Sequence, residues 1–370
     1  MMKRQVLLLA VAVTILCTAG LQAATIYQVI DLGTLGGEES NAYSLNEAGQ
    51  IVGQAQGSQW LFRATLFDPT GAGNNVDLGT LGGGESAALS INEAGQVVGW
   101  AHNSHDSFRA TLFDPTGAGS NLNLGTLGGD WSRAYSINNS GQIVGSADNS
   151  ENDNHATLFD PTGAGNNIDL GTLGGDDSWA YSINDTGRIV GKATNSQDLE
   201  LATLFDPTGA GNNIDLGTLG GDESWANSVN EAGLIVGWAD NSQGWDRGTI
   251  FDPTGAGNNI DLGTLGGDGS VAYSITDAGR IVGSAADPEG FWRATLFDPT
   301  GAGNNTDLNT FIDPASGWIL LSARDMNASG WIVGYARTPQ GETHGFLLVP
   351  EPATLALLGL GILCLRKRGK

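Results

Sequence analysis

DLGTLGGDDSWAYSINDTGRIVGKATNSQDLELATLFDPTGAGNNI, residues 169–214, is the stretch whose reading decides the fold, because the chain around it is close to seven copies of it. The opening recurs at Asp31, Asp77, Asn123, Asp169, Asp215, Asp261 and Asp307, always 46 residues apart (77 − 31, 307 − 261). A fixed period of this length signals stacked or radially arranged units, none of which buries its apolar surface alone. Within one copy, Ala180-Tyr181-Ser182-Ile183 and Arg188-Ile189-Val190-Gly191-Lys192-Ala193 alternate as half-buried strands do. Asn184-Asp185-Thr186-Gly187 joins them, and Asn/Thr-x-x-Gly at this place in every copy predicts a type I turn closed by a glycine of positive φ. Ala202-Thr203-Leu204-Phe205 and Ile214-Asp215-Leu216-Gly217-Thr218-Leu219 supply two more strands across the loop Asp206–Asn213.

Four short strands in 46 residues make one propeller blade, and seven copies predict an all-β, seven-bladed β-propeller, with an open β-solenoid as the alternative. The ends support closure. Ile30-Asp31-Leu32-Gly33 has no ATLF strand before it, and Gly345-Phe346-Leu347-Leu348-Val349 is an ATLF equivalent with no DLG strand after it. With a blade frame of ATLF, DLG, SIN and IVG, the closing blade takes one strand from the C-terminus and three from the N-terminus. The seventh copy carries a five-residue insertion, expected in a loop.

Outside the repeats, residues 1–24 have Lys3 and Arg4 before an apolar run and then small residues, the form of a secretory signal peptide. Residues 25–349 form the propeller, and 350–370 hold Pro350-Glu351-Pro352, thirteen apolar residues from Ala353 to Leu365, and a basic tail. The run is short for a bilayer about 30 Å thick. This end resembles the PEP-CTERM sorting signal of Gram-negative bacteria, with Pro350, Glu351 and Pro352 as the processing motif. The resemblance implies export, an exosortase-like processing protease, and a transient or lasting membrane contact through the C-terminal segment alone. LGTLGG, SIN-x-x-G, IVG and ATLF resemble the HAF repeat, a family of probable extracellular repeats, which implies an exported β-rich array and brings no catalytic residues.

Cys17 and Cys364 lie in the two terminal segments, so the repeats hold neither a disulfide nor a thiolate metal site. Without the terminal Lys and Arg residues the net charge falls from −24 to about −30, which excludes nucleic acid as a partner and favours cations or neutral glycans.

No nucleophile triad, phosphate loop or zinc spacing stands out, and no catalytic residue is assigned. Carboxylates after Gly-Gly, including Glu38, Glu39, Asp176, Asp177, Asp222 and Glu223, would recur around one face and suit weak Ca²⁺ binding. Trp131, Trp179 and Trp225 could stack on sugar rings or fill packing slots. Arg63, Arg109, Arg247 and Arg293 precede the third strand and are expected to form strand-end salt bridges. The leading expectation is therefore a non-enzymatic binding or structural module of the cell surface or matrix, associated with exopolysaccharide. One alternative is a secreted hydrolase or lyase acting on polysaccharide, which requires one or two channel carboxylates with no counterpart in the other copies. Another is a ligand-free spacer.

Overall fold

The structure, a computed structural model, describes residues 27–351. Seven four-stranded antiparallel sheets close into a ring, a seven-bladed β-propeller. The blade frame differs from the expected one: each blade runs SIN, IVG, ATLF, DLG, as in Gly174–Ile183, Ile189–Asn195, Glu200–Phe205 and Ile214–Asp215. The reason is the brevity of the DLG strand. Its two residues pair only with the ATLF strand before them, Thr203 with Asp215 and Leu204 with Ile214, and the chain then crosses to the next blade. The closing blade accordingly takes three strands from the C-terminal side, Ile319–Met326, Ile332–Arg337 and Thr343–Pro350, and one, Tyr27–Asp31, from the N-terminal side. The insertion of the seventh copy folds as two short 3₁₀ turns, Leu308–Phe311 and Pro314–Ser316, before that blade begins.

Each motif letter has a packing reason. Ile189 and Val190 point to opposite faces, as strand geometry requires: Ile189 packs with Val144 of the preceding blade and Val190 with Ala226 and Ile235 of the following one. Both faces of every sheet are thus buried between neighbours. Gly191 is fixed by a bulge in the first strand, where Ala180 pairs with Gly191 and Ser182 with Val190. A Cβ on Gly191 would collide with the Trp179 carbonyl, and the IVG glycine of every other blade faces the same obstacle. Gly191→Ala is therefore expected to cost about 1–3 kcal/mol as an overpacked site. Gly57, with open space around its Cβ position, is the control: Gly57→Ala leaves the thermal midpoint unchanged or raises it.

The turn asparagines do more than close turns. Gly187 has φ 83° and donates its N–H to Asn184 O, as the turn predicts. Asn184 Nδ2 also donates to Asn230 O of the next blade at 2.9 Å, and the pattern runs from Asn46 to Asn92, Asn92 to Asn138, Asn138 to Asn184, and Asn327 to Asn46. Thr276 lacks the amide. There the belt is bridged by Arg280, whose Nη2 donates to Asn327 O (3.1 Å) and Ala328 O (2.8 Å). In five blades the first serine of the inner strand makes a second tie, at Ser86, Ser132, Ser178, Ser224 and Ser270: Ser178 Oγ donates to Gly171 O and accepts from Ala156 N of the preceding blade.

The seam is held by the same contacts plus an ion pair. Leu32 N donates to Gly345 O, Leu32 is buried against Ala42, Val333 and Leu347, and His344 Nδ1 lies 2.8 Å from Asp31 Oδ1. The hydrogen bond to Asp31 lifts His344 above the usual imidazole value, although burial opposes it. For Asp31 burial acts upward, but the bonds from His344 and the Gly33 N–H prevail and hold it below the usual carboxylate value. A raised His contributes below about pH 6.5 and fades as pH rises through its folded value; a lowered Asp contributes above about pH 3.9 and fades as pH falls. The thermal midpoint lost on His344→Gln is therefore expected to be largest near pH 5 and to shrink by pH 8; a loss independent of pH would contradict the pairing.

Candidate functional site

The first strand of each blade touches the first strands of both neighbours all the way round, so these seven strands line the central channel. They begin at a face built from Gly-Gly starts and the variable loops after IVG, and end at a face built from the SIN turns and the DPTGAGNN loops. The second face is nearly the same in every copy. Sequence variation, and with it any specific chemistry, is concentrated on the first face and inside the channel.

After the alanine that pairs with the IVG glycine, the channel strands carry Tyr43, Leu89, Tyr135, Tyr181, Asn227 and Tyr273 in six blades and Arg324 in the seventh. The next residue is serine in those six blades and Asp325 in the seventh. Four of the serines, Ser90, Ser136, Ser182 and Ser228, accept an N–H from the following blade, as Ser90 does from Ile137 at 3.3 Å. Asp325 makes the same bond across the seam to Leu45 N (3.1 Å) and also accepts from Ser274 Oγ (2.8 Å) and Met326 N (2.9 Å). Protein surrounds it on all sides while part of its surface stays open to the channel. Burial pushes its carboxyl above the ordinary value despite hydrogen bonds that favour the charged form.

Arg324 presents its guanidinium to Tyr273 (4.0 Å from the ring centroid) and Tyr335 (5.3 Å), and its Nε is buried without a protein partner. Burial pushes the nearby Tyr43 phenol up to about 12, an effect that the Arg324 charge moderates. A guanidinium, a carboxyl inclined to keep its proton and two neutral phenols can donate a proton, accept one and stabilise a developing oxyanion. The sequence contained the signal, because Arg324-Asp325 breaks a column that is tyrosine then serine in four blades and Leu89 or Asn227 then serine in two. The inserted residues before it moved this strand off the common register.

Blade 5 carries a second carboxyl pair on the variable face. Asp240 and Asp246 are cross-strand partners, and Asp240 is pushed up to about 6, first by burial and then by its hydrogen bond to Asp246 and that residue's charge. Asp246 lines a hollow of about 500 Å³ with Trp245, Asp268 and Trp292.

The six expected cation ligands lie at equivalent places on the variable face without converging. Glu38, Glu39, Asp176, Asp222 and Glu223 are exposed, and Asp177 accepts from Asn154 N of the preceding blade at 2.9 Å. No group of three or more metal-ligating side chains occurs among the described residues. A carboxylate ring does exist at the opposite face, where Glu47, Glu93, Asp185, Glu231 and Asp277 surround the channel mouth. It is knitted by backbone donors: Glu93 accepts from Glu47 N and Glu231 from Asp185 N.

Trp225 is a packing residue, within 5.1 Å of Trp238 and 5.9 Å of Tyr181, its Nε1 bonded to Glu200 and the Lys192 ammonium 3.8 Å from its ring. Trp131, 54% exposed, and Trp179 share one cavity between blades 3 and 4. Of the expected strand-end salt bridges, Arg293 pairs with Asp287 at 3.0 Å, whereas Arg109 donates to the backbone carbonyls of Phe108 and Asp130. Pro350 ends the last strand and Glu351 is exposed; Pro352, the apolar run and the segment 1–24 expected to be a signal peptide lie outside the described residues. No helix among the described residues is long and apolar enough to cross a membrane.

The PEP-CTERM protein-sorting motif matches residues 348–368, which indicates export, sorting to the cell envelope and processing by exosortase-like machinery. No curated protein matches the chain. A solved structure of a gluconolactonase from Xanthomonas campestris, described as important in glucose secondary metabolic pathways, is similar over 90% of this chain and 93% of its own, with 12% identity and a TM-score of 0.43. The expectation of a non-enzymatic module is corrected here. The absence of a divergent polar group, on which that expectation rested, does not hold in the seventh blade, which carries Arg324 and Asp325.

Proposed function

We propose that the protein is an exported hydrolase acting on neutral polysaccharide, with its chemistry in the channel at Arg324 and Asp325. The observation that carries this is the replacement, in one blade of seven, of an uncharged channel residue and serine by a guanidinium and a carboxyl. Asp325 gives its proton to the glycosidic oxygen as the C–O bond breaks, a water molecule adds to the oxocarbenium-like anomeric carbon and its proton returns to Asp325, and Arg324, Tyr43 and Tyr273 hold hydroxyls of the sugar end that enters. The net charge near −30 outside the terminal segments selects against uronic-acid polymers. Identity of the repeats as HAF repeats rests on LGTLGG, SIN-x-x-G, IVG and ATLF, and a place in an exopolysaccharide-bearing envelope fits both the substrate and the sorting motif.

The test is Asp325→Ser, which installs the residue of the other six blades and keeps an acceptor for Leu45 N. Loss of hydrolysis with an unchanged thermal midpoint supports the assignment. A second placement of the same chemistry is favoured by the proton-sharing pair Asp240 and Asp246. In that case Asp240→Asn removes activity and Asp325→Ser does not.

A further inference from the structure

The residue after the IVG glycine, on the second strand, sits between neighbouring blades near the variable face; where it is Ser284, in the blade before the closing one, Ser322 of the closing blade packs against it and its Oγ donates to Ser322 Oγ at 2.9 Å. Trp100 at this place reaches the next blade, where the Arg133 guanidinium lies 5.7 Å from its ring, and Lys192 places its ammonium 3.8 Å from Trp225. Trp238 and Tyr335 are also large. Blade 3 has Ser146. Toward Trp179 of blade 4 this leaves a cavity of about 530 Å³, open to solvent, a volume in the range of small-molecule sites.

The walls of this cavity are those of a sugar site. Trp131 offers an indole face, 54% exposed, braced from behind by Phe108 at 5.7 Å. Trp179 and Tyr135 supply further aromatic surface. Asn154 Nδ2 donates to Asp148 Oδ1 at 3.0 Å, and Asp148 Oδ2 accepts from Trp131 N at 3.0 Å, so both side chains are held in place. Asn154 lines the cavity and its Oδ1 makes no hydrogen bond within the protein, so a small turn of the amide presents an acceptor to a hydroxyl there. Arg133 also lines the cavity, and its guanidinium is occupied over the Phe108 ring at 4.2 Å.

We infer that this cavity between blades 3 and 4 is a binding subsite for an uncharged pyranose unit, stacked on Trp131 and hydrogen-bonded to Asn154, that holds a polysaccharide chain away from the channel. The polymeric substrate rests on the function proposed above; the sugar-binding property does not require turnover. Stacking of an apolar sugar face on indole and a hydroxyl donated to a fixed amide oxygen are the contacts such a unit makes. Asp130 and Asp148 repel a uronate.

Calorimetric titration of the full chain with laminarihexaose, cellohexaose and maltohexaose, with oligogalacturonate as the charged control, tests the inference. Saturable binding of at least one neutral hexasaccharide is expected, weakened tenfold or more by Ser146→Trp, which fills the gap with the residue of blades 2 and 5. Trp131→Ala, at an exposed ring that the fold does not need, is expected to weaken binding equally and guards against misfolding of the first variant. Asp325→Ser is expected to bind as the wild type does. Binding without hydrolysis leaves the subsite standing while the hydrolase reading falls. No binding of any neutral hexasaccharide, binding of oligogalacturonate alone, or binding indifferent to both variants overturns the subsite.

Discussion

Removal of Tyr27–Asp31 is expected to lower the thermal midpoint by about 10 °C or more and to promote association between molecules. This strand is the outer strand of the closing blade, and among the described residues nothing else pairs with Thr343–Pro350 on that side. Ile30 packs on the seam core with Leu32, Val333 and Leu347, and Asp31 pairs with His344. Partly burying one or two aliphatic side chains contributes roughly 1.5–3 kcal/mol each, and the lost backbone hydrogen bonds about 1 kcal/mol each. Together they amount to about 5 kcal/mol, equivalent to about 10 °C at this chain length. The exposed edge of Thr343–Pro350 is then free to pair with another molecule. Adding a peptide of residues 25–33 in trans should restore the midpoint in a saturable way. Differential scanning calorimetry and light scattering check both parts, and an unchanged midpoint would mean that the ring does not depend on its N-terminal strand.

The second large effect is expected in the channel. Asp325→Ser should reduce hydrolysis by about 10²–10⁴, the range that a positioned acid or base contributes. Arg324→Leu, the type of residue that blade 2 places there as Leu89, should reduce it by about 10², as loss of a group that positions the substrate does. Neither substitution should cost much stability, since blades with Ser and Leu at these places close in the same ring. The Arg324 Nε, buried without a partner, is relieved by its removal. If both variants instead unfold while activity per folded molecule is unchanged, the pair serves the seam alone.

The fold was legible because its information is repeated. Period, strand alternation and the complementary ends give seven blades and a closed ring, and Gly187 closes the predicted turn. The frame was less legible, since Ile214–Asp215 is two residues long where the six residues Ile214 to Leu219 read as a full strand. Its leucine, Leu216, belongs to the inter-blade core and not to the ladder. The inter-blade belt of Asn184 and its equivalents was hidden behind their turn role, because one side chain does both tasks.

For the site, sequence reasoning grouped Trp131, Trp179 and Trp225; the structure brings Trp131 and Trp179 to one cavity and leaves Trp225 out of it. Trp179 and Trp225 are both half-buried, with the Lys192 ammonium over both rings at 4.1 and 3.8 Å, and what sets Trp179 apart is the gap that Ser146 leaves on its other side. Asp325 was missed because the insertion in the seventh copy displaced it, and only strand pairing, Asp325 opposite Val333, restores the comparison with the serines.

The most direct test of the account is the initial rate of reducing-end release from neutral polysaccharides by the purified chain, with Asp325→Ser beside it at matched thermal midpoint. The account predicts a measurable rate for the wild type, at least a hundredfold loss in the variant, and no release from polygalacturonate. Equal rates in the two proteins, or release from polygalacturonate alone, would contradict it.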